Sequence, residues 1–219
     1  MNIKDAIKER HSVRQFKNKP IPDDLREKLE EAIEKVNDQS GLHIQAIYDE
    51  PECFDTFIAN RSFANAVNYF AIVGNNYISQ LEQKAGFFGQ EIVLTAQMLG
   101  LNTCWVGGSY GKKKCKAVIN DNEKLVCVIA VGFGEDSGSY RKTKPFSKLC
   151  DVPEDDMPVW FRNGMVAAMM APTALNQQKF FISLDGEDAV ISTKGGTMAQ
   201  IDLGIVRYNF EAASGHKCR

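Results

Sequence analysis

Arg10-His11-Ser12-Val13-Arg14 sets two guanidinium groups and a hydroxyl within five residues. Arg10 follows Ile3, Ala6 and Ile7 at the spacing of one helical face, so it should leave the first helix pointing inward. If the chain then runs extended, Arg10, Ser12 and Arg14 fall on one side and His11 and Val13 on the other. Two planar cationic forks and a hydroxyl converging on one spot are the donors a phosphate monoester wants. A second polar group stands far along the chain, in Ala171-Pro172-Thr173-Ala174-Leu175-Asn176-Gln177-Gln178. A third stretch, Gly100–Gly108, ends in a glycine pair. Blander readings stand beside these. Surface acids could pair Arg10 and Arg14, Asn176 and Gln178 could serve only the turn that Pro172 sets, and Gly107-Gly108 could be a plain loop.

Other chemistries find less support. Cys104 has no histidine partner in sequence, and a buried inert thiol outweighs a nucleophile. His11, His43 and His216 are too dispersed for a metal site, so neither a metal nor a catalytic protein residue is expected. No Gly-x-Gly-x-x-Gly loop is present to hold a pyrophosphate. Phe87-Phe88 reads as core packing, with a substrate lid as the alternative. Across 219 residues, 26 basic side chains against 28 acidic give a net charge of -2, which argues against nucleic acid or an anionic membrane as partner. The run Lys112–Lys114 with Lys116 is short enough to be a solvated face. Six cysteines without a Cys-x-x-Cys pair, no secretory segment and no apolar run of membrane length lead to the expectation of a reduced, cytoplasmic protein.

The elements that must position these residues are legible from periodicity. Asn2–Arg10 reads as an amphipathic helix. A second starts at Ile21-Pro22-Asp23-Asp24 and buries Leu25, Leu29, Ala32, Ile33 and Val36. Leu42–Tyr48 and Tyr69–Val73 read as strands, and Asn76–Gly100 as mostly helical, stopped by its glycine. The unbroken run Leu125–Val131 predicts a strand buried on both faces. Val159–Met170 predicts a buried helix ended by Pro172. Lys179–Leu184 and Ala189–Thr193 flank a hairpin turn at Asp185-Gly186, and Gln200–Ser214 forms the last helix before Gly215. A weak duplication runs through this order: Gly89–Gly100 and Gly204–Gly215 enclose helices of equal length, and helix, loop and strand ending in aspartate recur at Pro22–Asp49 and Pro158–Asp185.

Arg-x-Ser-x-Arg, the Ala-Pro-Thr-x-x-Asn-x-Gln motif and Gly-Leu-Asn-Thr-Cys-Trp-Val-Gly-Gly together resemble the FMN-dependent nitroreductase family over essentially the whole length. The strand Val126–Gly132 and the basic Tyr140–Pro145 segment join the resemblance. It implies an α+β, nitroreductase-like single domain over 1–219, with a central mixed β-sheet flanked by helices. In the family the arginine motif comes from one subunit of a dimer and the asparagine motif from the other. Here the place after the first amphipathic helices holds Asn37-Asp38-Gln39-Ser40-Gly41, and the motif occurs in the second half instead. That departure resembles a fused chain, two pseudo-symmetric halves of about 1–110 and 111–219, working as a monomer that imitates the dimer.

The resemblance further implies cofactor-binding roles. Arg10, Ser12 and Arg14, with His11 in the same motif, would hold the phosphate and ribityl chain of FMN. Pro172, Thr173, Asn176 and Gln178 would line the isoalloxazine, Val106 and Gly107 would approach it with backbone, and Lys142 or Lys144 would add a phosphate charge. Lys179-Phe180 replaces the family's usual Pro-Trp. The implied activity passes electrons from NADH or NADPH through FMN to a small acceptor such as a nitroaromatic or quinone. The alternatives are a flavin-binding or sensing protein without turnover, and a structural protein without flavin.

Overall fold

A computed structural model describes residues 1–219, which gather into two compact units, each drawn from separated stretches of the chain. The first consists of Met1–Glu9, Glu82–Gln90 and Arg141–Arg219, and the second of Arg10–Leu81 and Glu91–Tyr140. The helices are α1 (Ile3–Glu9), α2 (Asp23–Ser40), α3 (Leu81–Met98), α4 (Val159–Met169) and α5 (Ala199–Ser214). The strands are β1 (Gln45–Ile47), β2 (Tyr69–Asn75), β3 (Asn102–Val106), β4 (Glu123–Gly132), β5 (Phe180–Asp185) and β6 (Asp188–Thr193).

The second unit is built on a four-stranded sheet in the order β1-β2-β4-β3. β2 and β4 occupy its middle, and the unbroken apolar runs of both are buried on the two faces. The mixed sheet expected from the sequence is corrected here: the four strands pair antiparallel throughout. β2 and β3 do run in the same direction, but β4 lies between them and opposes both, so they never pair. Parallel pairing survives only in isolated bridges, among them Ser12 with Thr103, which covers the outer edge of β3.

β1 begins three residues later than expected. The Asn37 side chain takes both backbone polar groups of Ile44, at 2.8 and 2.9 Å, and so delays the ladder to Gln45. α2 follows the expected stripe, burying Leu29, Ile33 and Val36, and ends at Gly41 in the left-handed conformation. α3 starts only at Leu81 because Asn75 first folds a turn, its Oδ1 accepting from Tyr77 N at 2.9 Å.

The first unit packs helices with a hairpin. Asn2 caps α1, its Oδ1 accepting from Lys4 N and Asp5 N. β5 and β6 pair in register across a two-residue turn, Gly186-Glu187, where Gly186 supplies a left-handed φ of 64°. In α4, Gly164 lies against the Phe210 ring of α5. The Glu82–Gln90 part of α3 crosses α5 with glycines on both sides. A Cβ on Gly86 would run into the carbonyl oxygen of Ile201, and one on Gly204 into that of Gln83. The same interface buries an amide pair, with Gln90 Nε2 donating to Asn209 Oδ1 at 3.0 Å and Asn209 Nδ2 to Ala167 O at 3.1 Å. Both amides are fully buried, and their shared bonds offset a desolvation that either would suffer alone.

Candidate functional site

Arg10 ends the helical stripe as its periodicity predicts and is only 3% exposed. The chain then runs extended: Ser12 bridges Thr103 in parallel, and Val13 N donates to Thr103 O at 3.0 Å. Alternation does the rest. Val13 enters the core, and His11 packs edge-on against Tyr140 with ring centroids 4.8 Å apart. By alternation Arg10, Ser12 and Arg14 share the other side, and the Ser12–Thr103 bridge lays this segment along β3, the strand that carries Cys104. Burial pushes that thiol above its ordinary range, while Arg14, Arg10 and a hydrogen bond with Ser12 pull it partly back. Cys104 is therefore a protonated thiol, unsuited to nucleophilic attack at neutral pH.

β3 ends at buried Val106 and opens into exposed Gly107 and Gly108. A Cβ on Gly108 would meet no protein atom within 4 Å, and its φ is not left-handed. Neither packing nor backbone conformation requires glycine there. Two guanidinium groups, a hydroxyl and an open glycine backbone are donors of the kind that hold a phosphate-bearing ligand.

The second motif lies in the first unit, in the loop after α4, and is held from three directions. Arg141 donates its Nη2 to the carbonyls of Met170 and Ala171. Asp202 of α5 takes Ala174 N on both carboxylate oxygens, at 2.9 and 3.0 Å. Lys142 O accepts from Asn176 Nδ2 and Gln178 Nε2, each at 2.9 Å, and Lys144 N donates to Gln178 Oε1 at 2.9 Å. Lys144 Nζ also caps the carbonyls of Gln177 and Gln178. Between these ties Leu175, Asn176 and Gln178 all adopt left-handed φ values of 52°, 53° and 46°. Three such non-glycine residues in four positions store strain that the clamps must hold.

The expected site residues thus sort by position. Arg10, Ser12 and Arg14 lie on the segment that Ser12 bridges to β3, Val106 ends that strand, and Gly107 follows it. His11 points to the other side. Pro172 is buried at the head of the loop, with Thr173 Oγ1 accepting from Gln178 N at 3.1 Å. The amides of Asn176 and Gln178 are turned onto the Lys142 carbonyl, and Gln178 is only 3% exposed. Lys142 contributes its backbone to this clamp and leaves its side chain exposed. Asp202 and Arg141 were not singled out by sequence. Asp202 falls in the first turn of α5, and nothing in the sequence signals that its partner is Ala174.

Asp202 offers a pH test of the clamp. Burial pushes its carboxyl up to about 6 from an ordinary 3.8, although the Ala174 amide opposes the rise. Between those values the folded chain holds more proton than the unfolded chain, so this stabilisation is full below about pH 4 and lost as pH rises through about 6. Asp202→Asn keeps an acceptor for Ala174 and removes the titration. Its stability relative to the parent should be greater at pH 7.5 than at pH 4, by roughly 1 kcal/mol once partial solvation is allowed for. Urea denaturation at the two pH values reads this directly, and an equal difference at both would refute the assignment.

The model of the family described as putative TM nitroreductase matches residues 2–214 of the chain. The chain belongs to that family. Among solved structures, a putative nitroreductase from Thermotoga maritima is similar over 97% of this chain and 83% of its own, at 22% identity and a TM-score of 0.66. A putative nitroreductase from Desulfovibrio desulfuricans, solved in complex with FMN, is similar over 70% of this chain and 98% of its own, at 18% identity and a TM-score of 0.55. At these identities the likeness establishes the nitroreductase-like α+β fold. No match was found among the curated proteins. No helix is long and apolar enough to cross a membrane.

Proposed function

We propose that this member of the nitroreductase family binds FMN without a covalent bond and passes electrons from NADH or NADPH to a small acceptor such as a nitroaromatic or quinone. The observation that carries the proposal is the extended segment bearing Arg10, Ser12 and Arg14, which the Ser12–Thr103 bridge lays along β3, the strand that opens into the exposed Gly107-Gly108 backbone. Family membership and the FMN complex of the Desulfovibrio relative support it.

Bound FMN would supply the redox chemistry, accepting two electrons and returning them. The chain's own residues then have binding and orienting work. Arg14 and Arg10 would neutralise the phosphate with paired N–H donors, and Ser12 would add a hydroxyl. Val106 and Gly107 would offer backbone where no Cβ stands in the way. The 172–178 loop, fixed by Asp202, Arg141 and Lys144, would present Pro172 and Thr173 as a rigid wall, with Asn176 and Gln178 keeping its shape. Lys142 would add a cation from its exposed side chain. No protein nucleophile is needed, which agrees with the protonated state of Cys104.

Each motif occurs once in the sequence, so one FMN per chain is expected, with no dependence on dimerisation. This is also what a fused chain of halves near 1–110 and 111–219 would give. Titration of the flavin-free protein with FMN, followed by light scattering, measures both quantities. Two FMN per chain, or FAD in the heat-released extract, would contradict the proposal. Bleaching of the bound flavin by NADH or NADPH and recolouring by a nitroaromatic tests turnover, and a flavin that stays oxidised would leave a binding protein instead.

A further inference from the structure

Cys53 and Cys115 are distant in sequence but meet in the second unit. Cys53 N donates to Glu50 Oε2 at 3.3 Å, and the same carboxylate oxygen takes the Tyr69 hydroxyl that in turn accepts from Lys116 N, the neighbour of Cys115. The backbones that carry them are tied through one glycine: Gly111 N donates to Cys53 O at 2.7 Å, and Cys115 N to Gly111 O at 3.1 Å. Cys53 is wholly buried, whereas Cys115 is partly exposed at the edge of the same core. Behind them, Tyr69 Oη donates to Glu50 Oε2 at 2.9 Å and accepts from Lys116 N at 3.0 Å, which fixes the floor of the pair.

We propose that Cys53 and Cys115 form a thiol–disulfide couple that is oxidised by low-molecular-weight disulfides, with Cys115 as the attacking sulfur and Cys53 as the resolving one. The geometry sets the order, since only Cys115 is open to an incoming molecule. The Cys53 thiol donates to Cys115 and holds it below the ordinary thiol range, with the Ala117 amide adding to the effect while burial and Glu50 oppose it. Cys53 is correspondingly pushed up, retaining the shared proton. Tyr69 and Tyr110, which face the pair along with Glu50, stay neutral because burial raises both.

The exchange balances in two steps. Cys115 thiolate attacks one sulfur of R–S–S–R, forming a mixed disulfide and releasing one RS⁻. Cys53 then loses its proton and attacks the Cys115 sulfur, forming the internal disulfide and expelling the second RS⁻. The dithiol gives up two electrons, and the disulfide leaves as two thiols carrying the two protons. Closure joins two thiols carried on segments already tied to one another by hydrogen bonds.

The protein as purified, reduced and then exposed to hydroxyethyl disulfide at pH 7, provides the test. Mass spectrometry should show a short-lived adduct on Cys115, then loss of the mass of two hydrogens and a Cys53–Cys115 cross-linked peptide that dithiothreitol reverses. Cys115 should react about tenfold faster than cysteine in an unstructured peptide. Cys53→Ala should arrest at the Cys115 adduct, and Cys115→Ala should leave Cys53 unmodified. A persistent Cys115 adduct in the parent protein, reaction no faster than in the peptide, or a cross-link involving another cysteine would overturn the proposal. The time course on the unmodified chain decides the matter even where a variant folds poorly, and it does not depend on bound flavin.

Discussion

Gly204→Ala is expected to lower the stability of the protein by about 2–3 kcal/mol, enough to lower the melting temperature by roughly 5–10 °C in a chain of this size. The added methyl would meet the backbone of the Glu82–Gln90 segment, at the carbonyl of Gln83 and the amide of Phe87. Neither is the flexible end of a side chain, so relief requires α5 and α3 to move apart. That movement would also stretch the fully buried Gln90–Asn209 bond in the same interface. Alanine's better helix propensity returns up to about 1 kcal/mol, which is already allowed for in the figure. Gly86→Ala, facing the carbonyl of Ile201, should behave alike. Gly108→Ala is the matched control: its Cβ would have no neighbour within 4 Å, so the flavin-free protein should melt as the parent does. Thermal denaturation of the three variants distinguishes the cases, and a Gly204→Ala protein that melts with the parent would mean that the helices do not cross on these glycines.

The sequence speaks clearly where periodicity and burial agree. The run at β4, the β5–β6 hairpin and α4 are each announced by their own residues, and the Arg10 stripe places that side chain correctly. What escapes is pairing between distant segments. The sheet order is one example, because β4 inserts between β2 and β3 and makes antiparallel what the order of elements would allow to be mixed. The loop at 172–178 is another. Its amides look like ligand groups in sequence, yet their bonds run to Lys142 and Lys144. Asp202 and Arg141, which hold that loop, carry no local mark of the task. Cys53 and Cys115 likewise share no motif spacing, and only the fold brings them into contact. In each case the missing information is a long-range contact whose partner no window of sequence contains.

Arg14→Ala is expected to weaken FMN binding by about 1.5–3 kcal/mol, roughly a 10- to 150-fold rise in Kd, while leaving the fold intact. The magnitude is that of a charge-assisted hydrogen bond from a guanidinium to phosphate. The separation of binding from folding rests on exposure: Arg14 is at the surface, whereas Arg10 is only 3% exposed. Removing Arg10 would disturb packing as well as ligand, which makes Arg14 the cleaner probe of the phosphate site. Arg14→Lys should recover part of the affinity, since it keeps the charge and loses the two-pronged fork. The deficit of Arg14→Ala should also shrink as salt rises, because screening removes what the charge contributes. Flavin fluorescence quenching gives the affinities, and melting of the flavin-free proteins gives the fold. Unchanged affinity would remove Arg14 from the phosphate site, and a flavin-free Arg14→Ala protein melting far below the parent would show that the residue serves the fold instead.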